Sequence, residues 1–407
     1  MSVIDRNGVN RDTLEISESH YRHNARFRRT HMMSQTEAAA APVQNPELAQ
    51  RKKRVAAIDA FRGFTILAMI FFIQVAGYSN LPLTGSWFGS AQVSHFHHAA
   101  DAEKAEEVGG IGCTFTDLIA PFFVFIVGMC IPLSKRRRGG EWWKHVMSRT
   151  VMLILLGILY ISLILKLSWW WGILQAIGIA YFMGAVAILF PRWFRWIMVF
   201  VICAFHAYMS RYVHWWLNIG DPTQPVWTIV NPAGDMLRPL MVHCTPWASI
   251  SYGAITIVGT ILGESITSRS TENIIFQSLL VGIVFTLIGY AVHRYKWPEF
   301  AMNKATVTAS YALFTAGISA FTFLLFYLIM DVANIKGWAW PFMVFGANAL
   351  LGYFMQPVVR IFVYALGFQP YLTNHSGWEA MYYGLMWTAL LWVVVYWCNK
   401  KNIYWKI

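Results

Sequence analysis

Residues 94 to 110, SHFHHAADAEKAEEVGG, set His95, His97 and His98 directly before an acidic run of Asp101, Glu103, Glu106 and Glu107. An imidazole changes charge near neutral pH, so this patch suits proton transfer or attack on an acyl carbonyl. Neighbouring carboxylates raise a histidine's proton affinity and draw in cationic molecules. The HxHH spacing also has donors for a metal ion. Adjacent histidines in a loop hold poor coordination geometry, however, and no Cys or His set elsewhere completes a site, so no metal is expected.

Three further constellations carry chemistry. Asp59 and Arg62, three residues apart in AAIDAFRGFTILAMIFF, share one helix face. They are either an interfacial ion pair with Arg62 reaching toward headgroups, or a clamp in which Arg62 grips a phosphate. Gly63 beside them permits close helix approach. Thr114 and Asp117 in GCTFTDLIAPFF fit a capping box at a helix start, and Asp117 is also placed to orient a nearby histidine. Gln175, His206, Glu264, Asn348 and Gln356 lie inside apolar segments. There each must face protein or water, interhelical hydrogen bonding being the default for Gln175, Asn348 and Gln356.

The elements that position these residues follow from composition. The chain has 407 residues, 57% hydrophobic, 16% aromatic and only 13% charged. That is too little polar surface for soluble domains of this size. Segments of about 20 apolar residues, enough to cross about 30 Å of hydrocarbon as helix, recur along it. The reading is an all-α, polytopic membrane helical bundle of about ten spans. They are placed near 58 to 78, 114 to 134, 147 to 166, 169 to 190, 194 to 212, 246 to 264, 274 to 292, 305 to 330, 340 to 365 and 381 to 398. The net charge of +12 concentrates beside these segments, in RKKR, KRRRGGEWWKH, PRWFR and NKKNIYWK. Basic loops mark the cytoplasmic side, which puts both termini inside and the first loop, about 79 to 113, outside. Residues 1 to 54 are polar and read as a disordered cytoplasmic tail, leaving 55 to 407 as the membrane domain. The five cysteines show neither CxxC nor zinc spacing.

Taken in order, IDAFRGFTILAMIFF, FHHA, TFTDLIAPFFVFIVGMCIPLS, GILQAIGIAYF, TPWASISYGAITIVGTILGESI and WPFMVFGANALLGYFMQ resemble the bacterial relatives of heparan-α-glucosaminide N-acetyltransferase, a transmembrane acyltransferase family. The resemblance implies a helical bundle that takes acetyl-CoA from the cytoplasm and acetylates an amino sugar on the other face. It implies a catalytic histidine followed by alanine, which is His98 here with His97 as its rival, and Asp117 as partner. Asp59, Arg62 and Gly63 match the family's DxFRG element, and Asn348 lies in its GxNAL element. With Gln175, these are the residues implied to hold the donor. Three departures stand out. The tryptophan that follows the histidine in the family is missing, and extra residues separate His98 from TFTDL. An asparagine common near the end of the first span falls at Ile73, with Gln74 next to it. Ala176 stands where relatives commonly have arginine.

The expected function is a membrane-embedded acyltransferase of the inner membrane. It would move an acetyl group from cytoplasmic acetyl-CoA to an extracytoplasmic amino sugar or glycan. Its partners would be membrane lipids and that small acceptor, with a homodimer compatible and no nucleic acid. A sugar permease using the same intramembrane polar residues, and an inactive scaffold, are the competing readings.

Overall fold

A computed structural model of the chain describes residues 55 to 75, 113 to 165, 172 to 213, 248 to 268, 270 to 295, 300 to 304, 306 to 372 and 375 to 405. They fall within one unit, Val55–Ile407. Residues 1 to 54 and most of the loop carrying His95, His97 and His98 lie outside the described residues.

The described residues are helical. They form α1 (Ala56–Val75), α2 (Ile119–Arg138), α3 (Trp142–Leu165), α4 (Ile173–Ala187), α5 (Arg192–Tyr208), α6 (Ala248–Ser268), α7 (Thr271–His293), α8 (Ala309–Tyr327), α9 (Trp340–Ala347), α10 (Ala349–Ala365) and α11 (Gly377–Lys400). Each segment expected from hydropathy falls on one of these, with 340 to 365 as the broken pair α9 and α10. By length and composition, seven helical runs could cross a membrane, or eight if the broken pair is one span. One of those runs, Thr116–Tyr160, is 45 residues long. As helix it would measure about 67 Å, twice what a bilayer core needs. Lys135, Arg136, Arg137 and Arg138 sit in its middle, followed by Gly139 at φ +56, a conformation that favours glycine. The run is therefore two helices, α2 and α3, with their basic junction in water.

The packing inverts that of a soluble protein. Large apolar side chains point outward, among them Leu287, Phe276, Leu385 and Phe362, each more than 60% exposed. Ser249, Ser251, Thr256, Thr260, Ser310, Thr315 and Ser319 are buried in α6 and α8 instead. Lipid tails reward no apolar burial, so membrane helices join through small residues and hydrogen bonds. At the α2–α6 crossing, a Cβ on Gly128 would come within 2.2 Å of the Thr256 carbonyl oxygen. One on Gly259 would come within 2.3 Å of Phe125 O. These helices touch backbone to backbone. Helix α6 is the centre of the bundle, packing on α2, α4 and α5 as well as α8, while α1 packs on α9, α11 and α8.

Short connections make neighbours such as α2 and α3 or α6 and α7 antiparallel, and cross-links identify two ends. At the basic end, Asp331 accepts from the Ala56 and Ala57 amides, at 3.2 and 2.9 Å, capping α1. Arg136 donates to Thr267 O, and Arg192 to Ser265 Oγ and Gln277 Oε1, joining the ends of α2, α5, α6 and α7. At the far end lie the starts of α2 and α8 and the finish of α1.

Candidate functional site

The α1–α9 contact sets the geometry of the basic end. A Cβ on Gly63 would lie 1.7 Å from Phe342 O, and one on Gly346 would lie 2.0 Å from Asp59 O. Only glycine fits at either position. The contact brings Arg62 against the α9 backbone: its Nη1 donates to Asp59 Oδ1 and to Gly346 O, both at 3.3 Å, and its Nη2 to Cys130 Sγ at 3.3 Å. The side chains of the pair stay 27% and 24% exposed. The Asp59–Arg62 pair expected from sequence is thus formed, and α2 adds Cys130 as a third wall.

Two residues of this end were not singled out from sequence. Arg149 of α3 places its guanidinium 5.0 Å from the ring centre of Tyr181 on α4. It lies within electrostatic range of Cys130, Arg62 and Arg138. Among the described residues no carboxylate pairs with it, and its cation faces that aromatic ring. The Tyr181 hydroxyl is buried without a hydrogen-bond partner. Arg62, Cys130, Arg149 and Tyr181 each sit about two turns in from the basic end of their own helix. Two guanidinium groups and an unpartnered hydroxyl therefore share one level, with Asp59 as the carboxylate among them. Such a set is built for a ligand with several anionic oxygens. The sequence signal for Arg149 was present: a cation three residues inside a predicted span has to find protein or water.

Gln175 and Asn348 lie elsewhere. Gln175 is buried at the start of α4, where its Oε1 accepts from the Gly172 amide at 3.1 Å and its side chain packs on Gly157 of α3. Asn348 stands at the α9–α10 break, where the axis bends by 72°. Its Nδ2 donates to Ile403 O at 2.8 Å and Asn399 Oδ1 at 3.2 Å, while its Oδ1 accepts from the Trp405 amide at 3.0 Å. Asn399 in turn donates to Val344 O at 2.8 Å. The amide fastens the C-terminal segment over the break.

At the far end, Asp117 Oδ2 accepts from both the backbone amide and the hydroxyl of Thr114, each at 2.9 Å. This is the acceptor half of the expected capping box. The other oxygen, Oδ1, faces Lys304 Nζ at 3.5 Å, with 2% and 15% of the two side chains exposed. Tyr311 donates to the Asp117 carbonyl. Burial pulls the Lys304 ammonium below its usual range, opposed by Asp117. Burial and the Asp117 charge both push the Cys113 thiol well up. His97 and His98 lie outside the described residues, so Asp117 is seen with a lysine as its charged neighbour.

The far end holds a second polar set that the sequence reading passed over. Arg360 of α10 donates to Gln74 Oε1, one residue before the end of α1, and lies 5.6 Å from the Trp387 ring centre. His375 is stacked on Tyr383 at 3.8 Å between ring centres, with Nδ1 3.2 Å from Glu379 Oε1. Ala380 and Gly384 of the same helix pack against Val75, where the chain leaves α1 for the histidine loop.

Comparisons with known proteins bear on what these two ends do. A family model described as a domain of unknown function, DUF5009, matches residues 54–190, the stretch that contains Arg62, Asp117, Cys130, Arg149 and Tyr181. Heparan-alpha-glucosaminide N-acetyltransferase of Homo sapiens is 24% identical over 87% of this chain and 60% of its own length. That of Mus musculus is 23% identical over 92% of this chain and 64% of its own. The chain thus spans about three fifths of the length of the curated relatives it matches. The resemblance carried by the six motifs is matched by a similarity to heparan-alpha-glucosaminide N-acetyltransferase over most of the chain.

Proposed function

We propose that this chain is a multi-pass membrane acyltransferase that takes an acetyl group from acetyl-CoA at its basic end and delivers it to an amino sugar or glycan at its far end. The observation that carries this reading is the gathering of Arg62, Arg149, Cys130 and Tyr181 on one level of α1 to α4. Arg62 and Arg149 would hold the phosphates of the donor, with Asp59 fixing the orientation of Arg62 and Gly63 admitting the close helix contact behind it. Asn348 would serve the donor site by holding the α9–α10 break, and Gln175 by anchoring α4, whose Tyr181 lies in that site. The concentration of basic residues beside this end supports a cytoplasmic location for it, which would make residues 1 to 54 a cytoplasmic tail and leave the histidine loop on the outside of the inner membrane.

At the far end His98, or His97, would act as base, with Asp117 and Lys304 as the charged pair nearest the loop's return to the bundle. The imidazole takes the proton of the acceptor amine as nitrogen attacks the thioester carbonyl. The carbon–sulfur bond breaks, and the departing thiolate recovers that proton, leaving an amide and a thiol. An acyl-imidazole on the same histidine is the two-step equivalent.

A second reading has one observation in its favour. Discontinuous helices such as α9 and α10 are a device of transporters, which coordinate substrates at the break. Here the amide at the break is engaged by the C-terminal segment. Acetyl-CoA-dependent acetylation of a panel of amino sugars by the detergent-purified chain separates the two. Transfer that disappears in His97→Ala/His98→Ala while the donor still binds, and donor binding that weakens in Arg62→Gln, is the expected result. Uptake of labelled sugar into proteoliposomes without acetyl-CoA, and no transfer, would reverse the assignment.

A further inference from the structure

The far end contains hydrogen-bond donors that lack acceptors. Gln356 and Arg360 are one turn apart on the same face of α10. Gln356 is 4% exposed, and its Nε2 has no hydrogen-bond partner. Trp387 of α11, whose ring lies 5.6 Å from the Arg360 guanidinium, is 2% exposed and its Nε1 is likewise unpartnered. Of the donors on Arg360, one is used on Gln74 Oε1. Among the described residues no carboxylate answers the charge: at this end Glu379 faces His375 and Asp117 faces Lys304.

A structural role explains part of this. Gln74 ties α10 to α1, and a cation over an indole face is a favourable contact. Neither supplies a counter-charge, and neither gives the amide of Gln356 or the indole N–H an acceptor. Buried donors in a membrane-embedded bundle are normally satisfied, so a cation and two orphan N–H groups in one patch indicate a missing acceptor that is anionic.

We propose that Arg360, Gln356 and Trp387 form a binding site for the carboxylate of a soluble small molecule that enters from the far end. The charge count selects this class: one guanidinium balances one carboxylate, whereas a phosphate dianion would leave a negative charge buried. Geometry agrees, since a guanidinium presents two parallel N–H groups to a planar carboxylate. Position agrees too, because Arg360 is just over one turn from the end of α10 and remains only partly buried. The site stands whether or not the chain transfers acetyl groups.

The test uses the full chain in nanodiscs of phosphatidylcholine, with propionate and benzoate as probes and propionamide and benzamide as uncharged controls. The readout is the unfolding midpoint as probe concentration rises. The acids are expected to raise the midpoint and the amides to leave it unchanged. Arg360→Gln is expected to abolish the response, and Trp387→Phe, which keeps the ring but removes the N–H, to weaken it about tenfold. Equal responses to acids and amides, or no response to any acid, overturn the proposal. So does an undiminished response in Arg360→Gln. If Arg360→Gln does not fold, undiminished affinity in Trp387→Phe overturns it alone. Repeating the titration in phosphatidylglycerol nanodiscs separates the two anion sources. Loss of the acid response there, with a midpoint already raised, assigns the site to a lipid headgroup and overturns the soluble ligand.

Discussion

Asp117 shows how one residue serves several partners. Its carboxylate is almost wholly buried, accepting from Thr114 on one oxygen and facing Lys304 on the other. Removing only the lysine takes away the cation that faces this buried charge. Lys304→Met is expected to cost about 3 kcal/mol, and Asp117→Asn/Lys304→Met markedly less, because the double variant strands no charge. Unfolding midpoints in detergent measure both. The pH dependence has a definite sign. Lys304 binds its proton less tightly folded than at its ordinary value of 10.5. Just below that value the unfolded chain binds more protons, so wild-type stability rises with pH there and the Met variant lacks the rise. The sequence made the Thr114–Asp117 cap legible because both residues are local. Lys304 was illegible as a partner because it arrives from a loop 187 positions away, which no spacing rule connects.

At the scale of elements, the hydropathy pattern placed the helices, since length and apolar content are what lipid demands. It did not give the α9–α10 break, for WPFMVFGANALLGYF is apolar but for Asn348 and has no helix-ending proline there. The break becomes comprehensible from what crosses it: Asn348, Asn399, Ile403 and Trp405 form one hydrogen-bonded knot. Asn348→Ala is expected to free the segment 399 to 405 while leaving α1 to α8 intact. Faster amide exchange at Trp405 and Ile403, without change in the α6 amides, is the signature. Similar reasoning separates the polar residues of the spans. Gln175 and Asn348 have hydrogen-bond partners close to their own backbone positions or in the tail, whereas Gln356 leaves its Nε2 unmatched. The sequence offered the same default for all three.

Across the whole molecule, the charges on loops and the cross-links at helix ends describe the same two poles. Lys135 to Arg138, Lys144, Arg192 and Lys400 mark one, and Lys304, His375 and Glu379 stand at the other. Gly140 and Gly367 are exposed turns at opposite poles with open space around them. In intact cells, Gly140→Cys is expected to resist a membrane-impermeant maleimide until the membrane is opened, and Gly367→Cys to label at once. The reverse pattern would invert the topology. The glycines of α1 and α9 have a further consequence for how such a molecule works. With Gly63 against Phe342 O and Gly346 against Asp59 O, no side chain lies between the two backbones to be rotated aside. This seam cannot loosen in small steps, so Arg62 and the α9 backbone move as a single body. Any gate that admits a bulky guest to the basic pole must therefore swing elsewhere than on this seam.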